Sequence, residues 1–302
     1  MMRWLYFLKI LLRLNKFRHA VACPFQSLLQ ILLRRDLHSL HITGDQFIER
    51  HITPPNLYGF MLLREGGIAL APVQPQESDS LLWELLPGRT FRTRLTQGMD
   101  LMTLYELFVR KDYGEDFRDK IVVDVGAYNG DSATFFALKG ARRVIALEPY
   151  QSNYLLACEN VERMGLSDRV ELLPIGLGAM EGRLPFRVAP TSLDANTFPE
   201  GGSALQRFIR YEVTTEVEVW TLPTLLARTD LEEVDFLKLD CEGCEFGVIG
   251  SLSEVELRRV CCWHIEYHAR PEPLIRKLQS AGFRVRKEKD RGILGYLVAE
   301  RI

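Results

Sequence analysis

The stretch KIVVDVGAYNGDSATFFALKGARRVIALEP, residues 120–149, restricts the fold more than any other part of the chain. An apolar run ends at Asp124 and Val125, Gly126 and Gly130 flank a short turn, a helical pattern follows, and a second apolar run ends at Glu148. Apolar runs of this kind are covered on both faces, and a strand that feeds a helix and then another strand makes a parallel crossover. Glycine at 126 and 130 removes the Cβ atoms that would hold a ligand off the backbone. The start of the helix, capped by Asp131 or Ser132, offers unpaired N–H groups. Such a turn at the C-terminal edge of a parallel sheet marks a ligand site. The plainer reading is that the two glycines only make a strand-to-helix turn.

The alternation continues to the C-terminus. RVELLPI (169–175), VDFLKLD (234–240) and RVCCWHIEYH (259–268) read as further strands, SNYLLACENVERMG (152–165), EFGVIGSLSEVEL (245–257) and PEPLIRKLQSAG (271–282) as helices. FRVRKE (283–288) and GILGYLVAE (292–300) form an antiparallel pair around the hairpin-sized KDRG. Between Gly178 and Trp220 lies a β-rich excursion holding the loop APTSLDANTFPEGGSA, long enough to cover an acceptor. The pattern predicts an α/β, doubly wound, seven-stranded Rossmann-like sheet.

The N-terminal part reads as a small α+β region. Residues 1 to about 45 look helical, and the segment from YGFMLLREGGIALAPV through LLWELLPGRTFRTRLTQG suits a few strands. MDLMTLYELFVRKD, an amphipathic helix, opens the second region, so the boundary is drawn between residues 98 and 99.

Trp4, Leu5, Leu8, Leu11 and Leu12 recur at helical spacing, but Lys9 and Arg13 interrupt them and the run is too short to span a bilayer. Lys16, Arg18 and His19 break the apolar core that a secretory signal would need. Residues 1–18 therefore read as a helix packed on the body of the protein, with peripheral contact to a membrane surface as the second reading. Six cysteines in 302 residues are too few for a disulfide framework, so a cytoplasmic, reducing location is expected. Lysine plus arginine (38) nearly balances aspartate plus glutamate (40), and no global field calls for nucleic acid.

The acids narrow the ligand. Glu148 follows Asp124 by 24 residues and ends the next strand, where a carboxylate can accept from both hydroxyls of a ribose. A dinucleotide site should read G-x-G-x-x-G, whereas this turn reads G-x-x-x-G with Asp124 beside it. A carboxylate there opposes a pyrophosphate and suits an amino group or a sulfonium. S-adenosylmethionine carries both, with a ribose. A second cluster, VDFLKLDCEGCEFGVI, ends a buried strand in Asp240 and adds Glu242 and Glu245 around Gly243. Acids bunched at one strand end bind a cation, favour a helix start or serve catalysis.

With VVDVGAYNGDSA, ALEPYQSNYLLACENV, PIGLGAMEG and above all VDFLKLDCEGCE, the chain resembles the FkbM family of S-adenosylmethionine-dependent methyltransferases, over about residues 105–300. The resemblance implies that Asp124, Gly126, Ala127, Tyr128, Asn129 and Gly130 hold the methionine end of S-adenosylmethionine, that Glu148 takes the ribose and that Ile175 and Gly176 line the adenine. Asp240 would sit beside the sulfonium. It also implies O-methylation of a hydroxyl on a sugar or related polyol metabolite, hence a small-molecule or glycan acceptor. Two departures stand out: Tyr128-Asn129 where the family more often has Asn and a small apolar residue, and Cys241 and Cys244 inside the hallmark.

Methyl transfer to a hydroxyl needs a group to take the proton. The period of two in RVCCWHIEYHA puts His264, Glu266 and His268 on one face. His268, just past the strand, is expected to be exposed in an open cleft and is the first choice for general base, with Asp240 and Glu242 behind it. Glu245 and Glu266 are the acceptor-binding candidates. His264 reads as a buried structural histidine. Cys241, Cys244, Cys261, Cys262 and His264 could be assembled into a zinc site, but the first pair falls inside the acidic hallmark and the second in a buried strand, so no metal is expected. The competing functions are a nucleotide-dependent oxidoreductase, opposed by the missing third glycine, and a non-catalytic partner-binding protein, opposed by the four acids Asp124, Glu148, Asp240 and Glu242.

Overall fold

The computed structural model describes residues 8–13, 29, 37–42, 46–68, 70–72, 80–190, 192–199 and 209–302. These fall into two compact units, Met1–Gly114 with Arg163–Gly165, and Glu115–Glu162 with Leu166–Ile302.

In the first unit, β1 (Leu37–Ile42) and β2 (Gln46–Ile52) pair antiparallel, and β3 (Ala71–Pro72), β4 (Ser80–Leu86) and β5 (Arg89–Arg94) form a three-stranded sheet. Two expectations need correction. Leu37–Ile42 is a strand, not the end of a helical region. Pro54–Glu65 is a helix, not a strand. Prolines 54 and 55 suit a first helical turn, and all ten residues from Pro54 to Leu63 are buried, so no apolar periodicity betrayed the helix. Residues 99–114 also belong to this unit rather than to the next. The helix Asp100–Phe108 crosses Pro54–Glu65 at Gly59, where a Cβ would collide with the backbone of Leu101 and Met102. Asn56 locks the crossing: its Nδ2 donates to Leu95 O (3.0 Å) and Gly98 O (3.1 Å), and its Oδ1 accepts from Leu101 N (2.9 Å). Of the segment 1–18, residues 8–13 are described and Leu8–Leu11 are helical; the rest of that segment, and with it the membrane-surface reading, lies outside the described residues. Among the described residues no helix is long and apolar enough to cross a membrane.

The second unit holds β6 (Ile121–Val125), β7 (Arg143–Leu147), β8 (Val170–Leu173), β9 (Ile175–Leu177), β10 (Gly182–Val188), β11 (Val213–Trp220), β12 (Phe236–Leu239), β13 (Cys262–Tyr267), β14 (Phe283–Glu288) and β15 (Gly295–Arg301). Seven of them form the expected doubly wound sheet, in the order β14-β15-β13-β12-β6-β7-β8. β6, β7, β8, β12 and β13 run parallel, and β15 enters antiparallel between β13 and β14. The excursion folds as a second sheet, β10-β11-β9.

Packing fixes the turn after β6. The helix Asp131–Leu138 is buried from Asp131 to Ala137, and Phe136 meets Phe117 (4.8 Å between centroids) and Phe236 (5.6 Å). A helix pinned by aromatic rings to the segment before β6 and to β12 leaves the preceding turn little freedom. The strand order reverses between β6 and β12, so the loops after these two strands leave the sheet towards opposite faces and open a crevice.

Candidate functional site

The register of β6 and β12 sets Lys238 directly opposite Asp124. The buried Lys238 Nζ lies 3.1 Å from Asp124 Oδ1 and 3.5 Å from Asp240 Oδ2, and donates to Gly126 O at 2.8 Å. Burial alone would lower the Lys238 pKa, but Asp124 and Asp240 outweigh it and raise it. One lysine between two carboxylates leaves a single negative charge at the crevice, and Asp240, with 26% of its side chain exposed, carries it towards solvent. Asp124 is fully buried, and its Oδ2 accepts from Ser132 Oγ (2.6 Å). It therefore stands behind the turn rather than against a ligand, a correction to its expected place beside a cationic amino group.

The turn is closed on itself. Gly126 N and Ala127 N donate to Leu147 O (3.0 and 2.9 Å), Tyr128 N to Glu148 Oε2 (3.0 Å) and Gly130 N to Ala127 O (2.7 Å). Asn129 Oδ1 accepts from Asp131 N (3.2 Å) and Asp131 Oδ1 from Ser132 N (2.7 Å), so the helix start offers no open row of N–H groups. The cap is Gly130, in the left-handed region at φ 84°, not Asp131 or Ser132. The glycines serve packing more than ligand approach. A Cβ on Gly126 would collide with the backbone of Asp240, and one on Gly130 would press on Ala157. One group in the turn is left over: the buried Asn129 Nδ2 has no partner.

Glu148 is buried, its Oε1 accepting from Tyr150 N (2.9 Å) and Asn153 Nδ2 (3.5 Å). The same carboxylate that was expected to meet a ribose thus also holds the glycine turn. Ile175 and Gly176 lie in β9, and the Phe198 ring fills the open side of Gly176. Phe198 packs on Phe186 at 5.0 Å between centroids, in an apolar cluster that includes Tyr128 and Leu193.

After β12 the chain runs through Asp240-Cys241-Glu242-Gly243-Cys244 into the helix Glu245–Ser251. Cys241 and Cys244 are joined in a disulfide, which corrects the expectation of thiols at these positions; Cys158, Cys261 and Cys262 remain thiols. Glu242 (φ 56°) and Gly243 (φ 121°) are left-handed, and a non-glycine residue held that way is strained. Thr197 Oγ1 of the excursion donates to Glu242 O at 2.6 Å.

His268 differs most from expectation. It is 1% exposed, because two carboxylates enclose it: Glu245 Oε1 at 3.0 Å from Nδ1 and Glu242 Oε1 at 3.4 Å from Nε2. Burial disfavours the charged ring, but the two carboxylates dominate and raise its pKa well above the ordinary value, so the ring holds a proton more tightly than a free imidazole does. Glu245 is itself fully buried and cannot touch an acceptor. Glu266 is half-buried on β13 opposite Tyr296, while His264 packs between Phe236 and Tyr296 in the core.

The structure brings His268 to Glu242 and Glu245 and sets Asp240 against Lys238 instead; the sequence reading gave Ser132 only a capping part and gave none to Lys238, Thr197 or Tyr211. Lys238 was visible as the first residue of the acidic hallmark. Tyr211 was not: its hydroxyl, pushed up to about 12 chiefly by burial and then by Glu242, donates to Ala195 O (3.2 Å).

A doubly wound, mostly parallel sheet with a glycine turn after one central strand and an acidic loop after its neighbour is the architecture of an α/β domain that binds its ligand at the switch point. Residues 124–285 match the model of the methyltransferase FkbM domain, and the chain belongs to that family of S-adenosylmethionine-dependent methyltransferases. The 2-O-methyltransferase NoeI of Sinorhizobium fredii is 26% identical over 145 residues, 45% of this chain and 58% of that protein. The ribosomal protein L11 methyltransferase of Sorangium cellulosum is 28% identical over 115 residues, 38% of this chain and 35% of that protein. The chain thus spans 58% and 35% of the length of these two curated relatives. A crystal structure of the ribosomal protein L11 methylase of Lactobacillus delbrueckii subsp. bulgaricus aligns with a TM-score of 0.35 and 15% identity, over 61% of this chain and 72% of that one.

The residues present fit S-adenosylmethionine. Asn129 Nδ2 is a donor in want of an acceptor, Asp240 brings a carboxylate to the crevice, and the Glu148 carboxylate lies beside the turn.

Proposed function

We propose that the protein methylates a hydroxyl oxygen of a sugar or a related polyol. The observation that carries this reading is the pairing of a singly negative crevice, at Lys238, Asp124 and Asp240, with a partly exposed carboxylate, Glu242, on the adjoining loop.

When bound, S-adenosylmethionine supplies an electrophilic methyl group on a cationic sulfur. Asn129 Nδ2 would donate to its carboxylate, Asp240 would face its positive end, Glu148 would accept from its ribose, and the apolar wall of Ile175, Gly176 and Phe198 would meet its adenine. Lys238 holds Asp240 at the crevice and gives the buried Asp124 a cation. Because the turn satisfies its own hydrogen bonds, these side chains are held in place before any ligand arrives.

Glu242 is the proton acceptor in this reading. A hydroxyl becomes strongly acidic as its oxygen gains a methyl group, so a carboxylate suffices. His268 stands behind Glu242 and supports it rather than acting as the base. Glu242, Arg187 and Asp194 all act on the Tyr211 hydroxyl, and a polar neighbourhood of this kind suits an acceptor rich in hydroxyls. The 2-O-methyltransferase relative supports transfer to oxygen.

The test is calorimetric titration with S-adenosylmethionine, S-adenosylhomocysteine and NAD, followed by transfer of a labelled methyl group to a panel of monosaccharides and oligosaccharides. Micromolar binding of both sulfur nucleosides, weakened about tenfold or more in Asp240→Asn, with labelled sugar as product, supports the reading. Binding of NAD alone, or label that enters no hydroxyl-bearing acceptor, refutes it.

A further inference from the structure

We propose that Glu245 is a positioning residue, acting through His268 to fix the Glu242 carboxylate at the acceptor side of the crevice. The inference rests on the methyltransferase reading only for the word acceptor. The relation between the three side chains stands on geometry.

Glu245 Oε1 gathers three donors: His268 Nδ1 at 3.0 Å, Gly243 N at 3.1 Å and Cys241 N at 3.4 Å. One oxygen thereby ties the histidine to two peptide groups of the loop that carries Glu242. Its second oxygen, Oε2, is buried without a partner, so the carboxylate is stabilised through Oε1 alone. A fully buried carboxylate needs a cation. Lys238 is engaged by Asp124 and Asp240, which leaves His268 as the cation in contact with Glu245.

A neutral imidazole has one N–H and can donate to only one of its two carboxylates. Only the imidazolium donates from Nδ1 to Glu245 and from Nε2 to Glu242 together. The charge of Glu245, by favouring the imidazolium, therefore lets Glu242 keep a donor behind it while Glu245 keeps its own. Glu242 needs one, because its backbone is left-handed and its side chain reaches the crevice with 20% exposure. The groups facing His268 are Glu242 from the loop, Glu245 from the helix start and, from the excursion, the Tyr211 hydroxyl, with Arg187 and Asp194 beyond it. Of these, Glu245 and Glu242 alone are in direct contact in the distances above.

Glu245→Gln separates charge from shape, since an amide oxygen still accepts from Gly243 N and Cys241 N. The experiment is an NMR pH titration of the whole chain, without ligand, that follows the His268 ring nitrogens and the Glu242 carboxyl carbon. In the native protein both signals should move at one midpoint, well above about 6.5. In Glu245→Gln both should move together, at least one pH unit lower. Equal His268 midpoints in the two proteins, or a Glu242 carbon that ignores His268, would overturn the proposal. Glu242→Gln guards against a variant that does not fold: with Glu245 intact, His268 should still titrate above about 6.5, and a midpoint at or below that value overturns the proposal as well. Loss of S-adenosylmethionine binding or methyl transfer bears on the functional reading and leaves these titrations unchanged.

Discussion

The Cα of Gly126 packs so closely on the carbonyl of Asp240 that no side chain fits between them. The glycine turn after β6 and the acidic loop after β12 are therefore parts of one surface, and the crevice between them has its shape set by backbone contact. Gly126→Ala combines a strained left-handed φ of 81° with a collision against backbone that cannot swing away. It should destabilise the second unit by about 4 kcal/mol or more. Urea unfolding followed by far-ultraviolet circular dichroism measures this, and a loss below about 1 kcal/mol would contradict the packing described.

Lys238→Met should be nearly as harmful for a different reason. It leaves Asp124 and Asp240 buried or half-buried without their cation, a loss of about 3–5 kcal/mol at neutral pH. The expected signature is a deficit that shrinks as the pH is lowered and the carboxylates are neutralised.

His268 makes stability depend on pH in the opposite sense. Its pKa is raised in the folded protein, so the folded state binds the proton more tightly than the unfolded one. The stabilisation is complete below about pH 6.5, the unfolded value, and is lost as the pH rises through the folded value. The urea midpoint of the native protein should fall on going from pH 7 towards pH 10, and His268→Asn should flatten that part of the curve. A native midpoint that rises over this interval would reverse the sign and rule out the imidazolium.

The Cys241–Cys244 disulfide closes a short ring around Glu242 and Gly243. Chain entropy for a loop of this size corresponds to about 2 kcal/mol. The double variant Cys241→Ser/Cys244→Ser should lose about that much, and alkylation without reductant followed by peptide mapping should label Cys158, Cys261 and Cys262 but not this pair.

The second unit was legible because its signals are local. Val122-Val123 and Val144-Ile145 announce buried strands, and the glycine turn and the hallmark Lys238-Leu239-Asp240-Cys241-Glu242-Gly243-Cys244-Glu245 each fit within a dozen residues. The first unit was less legible. Residues 54–63 are buried all round, so helix and strand look alike in sequence, and the Asn56 hydrogen bonds that settle the matter reach about forty residues along the chain.

By itself, then, the sequence determined the kinds and order of strands in the second unit, the glycine turn and acidic loop that follow β6 and β12, and the family. Run length, turn residues and motif spacing are properties of neighbouring residues. Tertiary structure alone decided what each acid does. Asp124 and Lys238, 114 positions apart, become neighbours only through the β6–β12 register, and His268 meets Glu245 only when the end of β13 comes beside the helix after β12. A carboxylate's role depends on its burial and on the cation beside it, and in this protein those are fixed by contacts between distant segments.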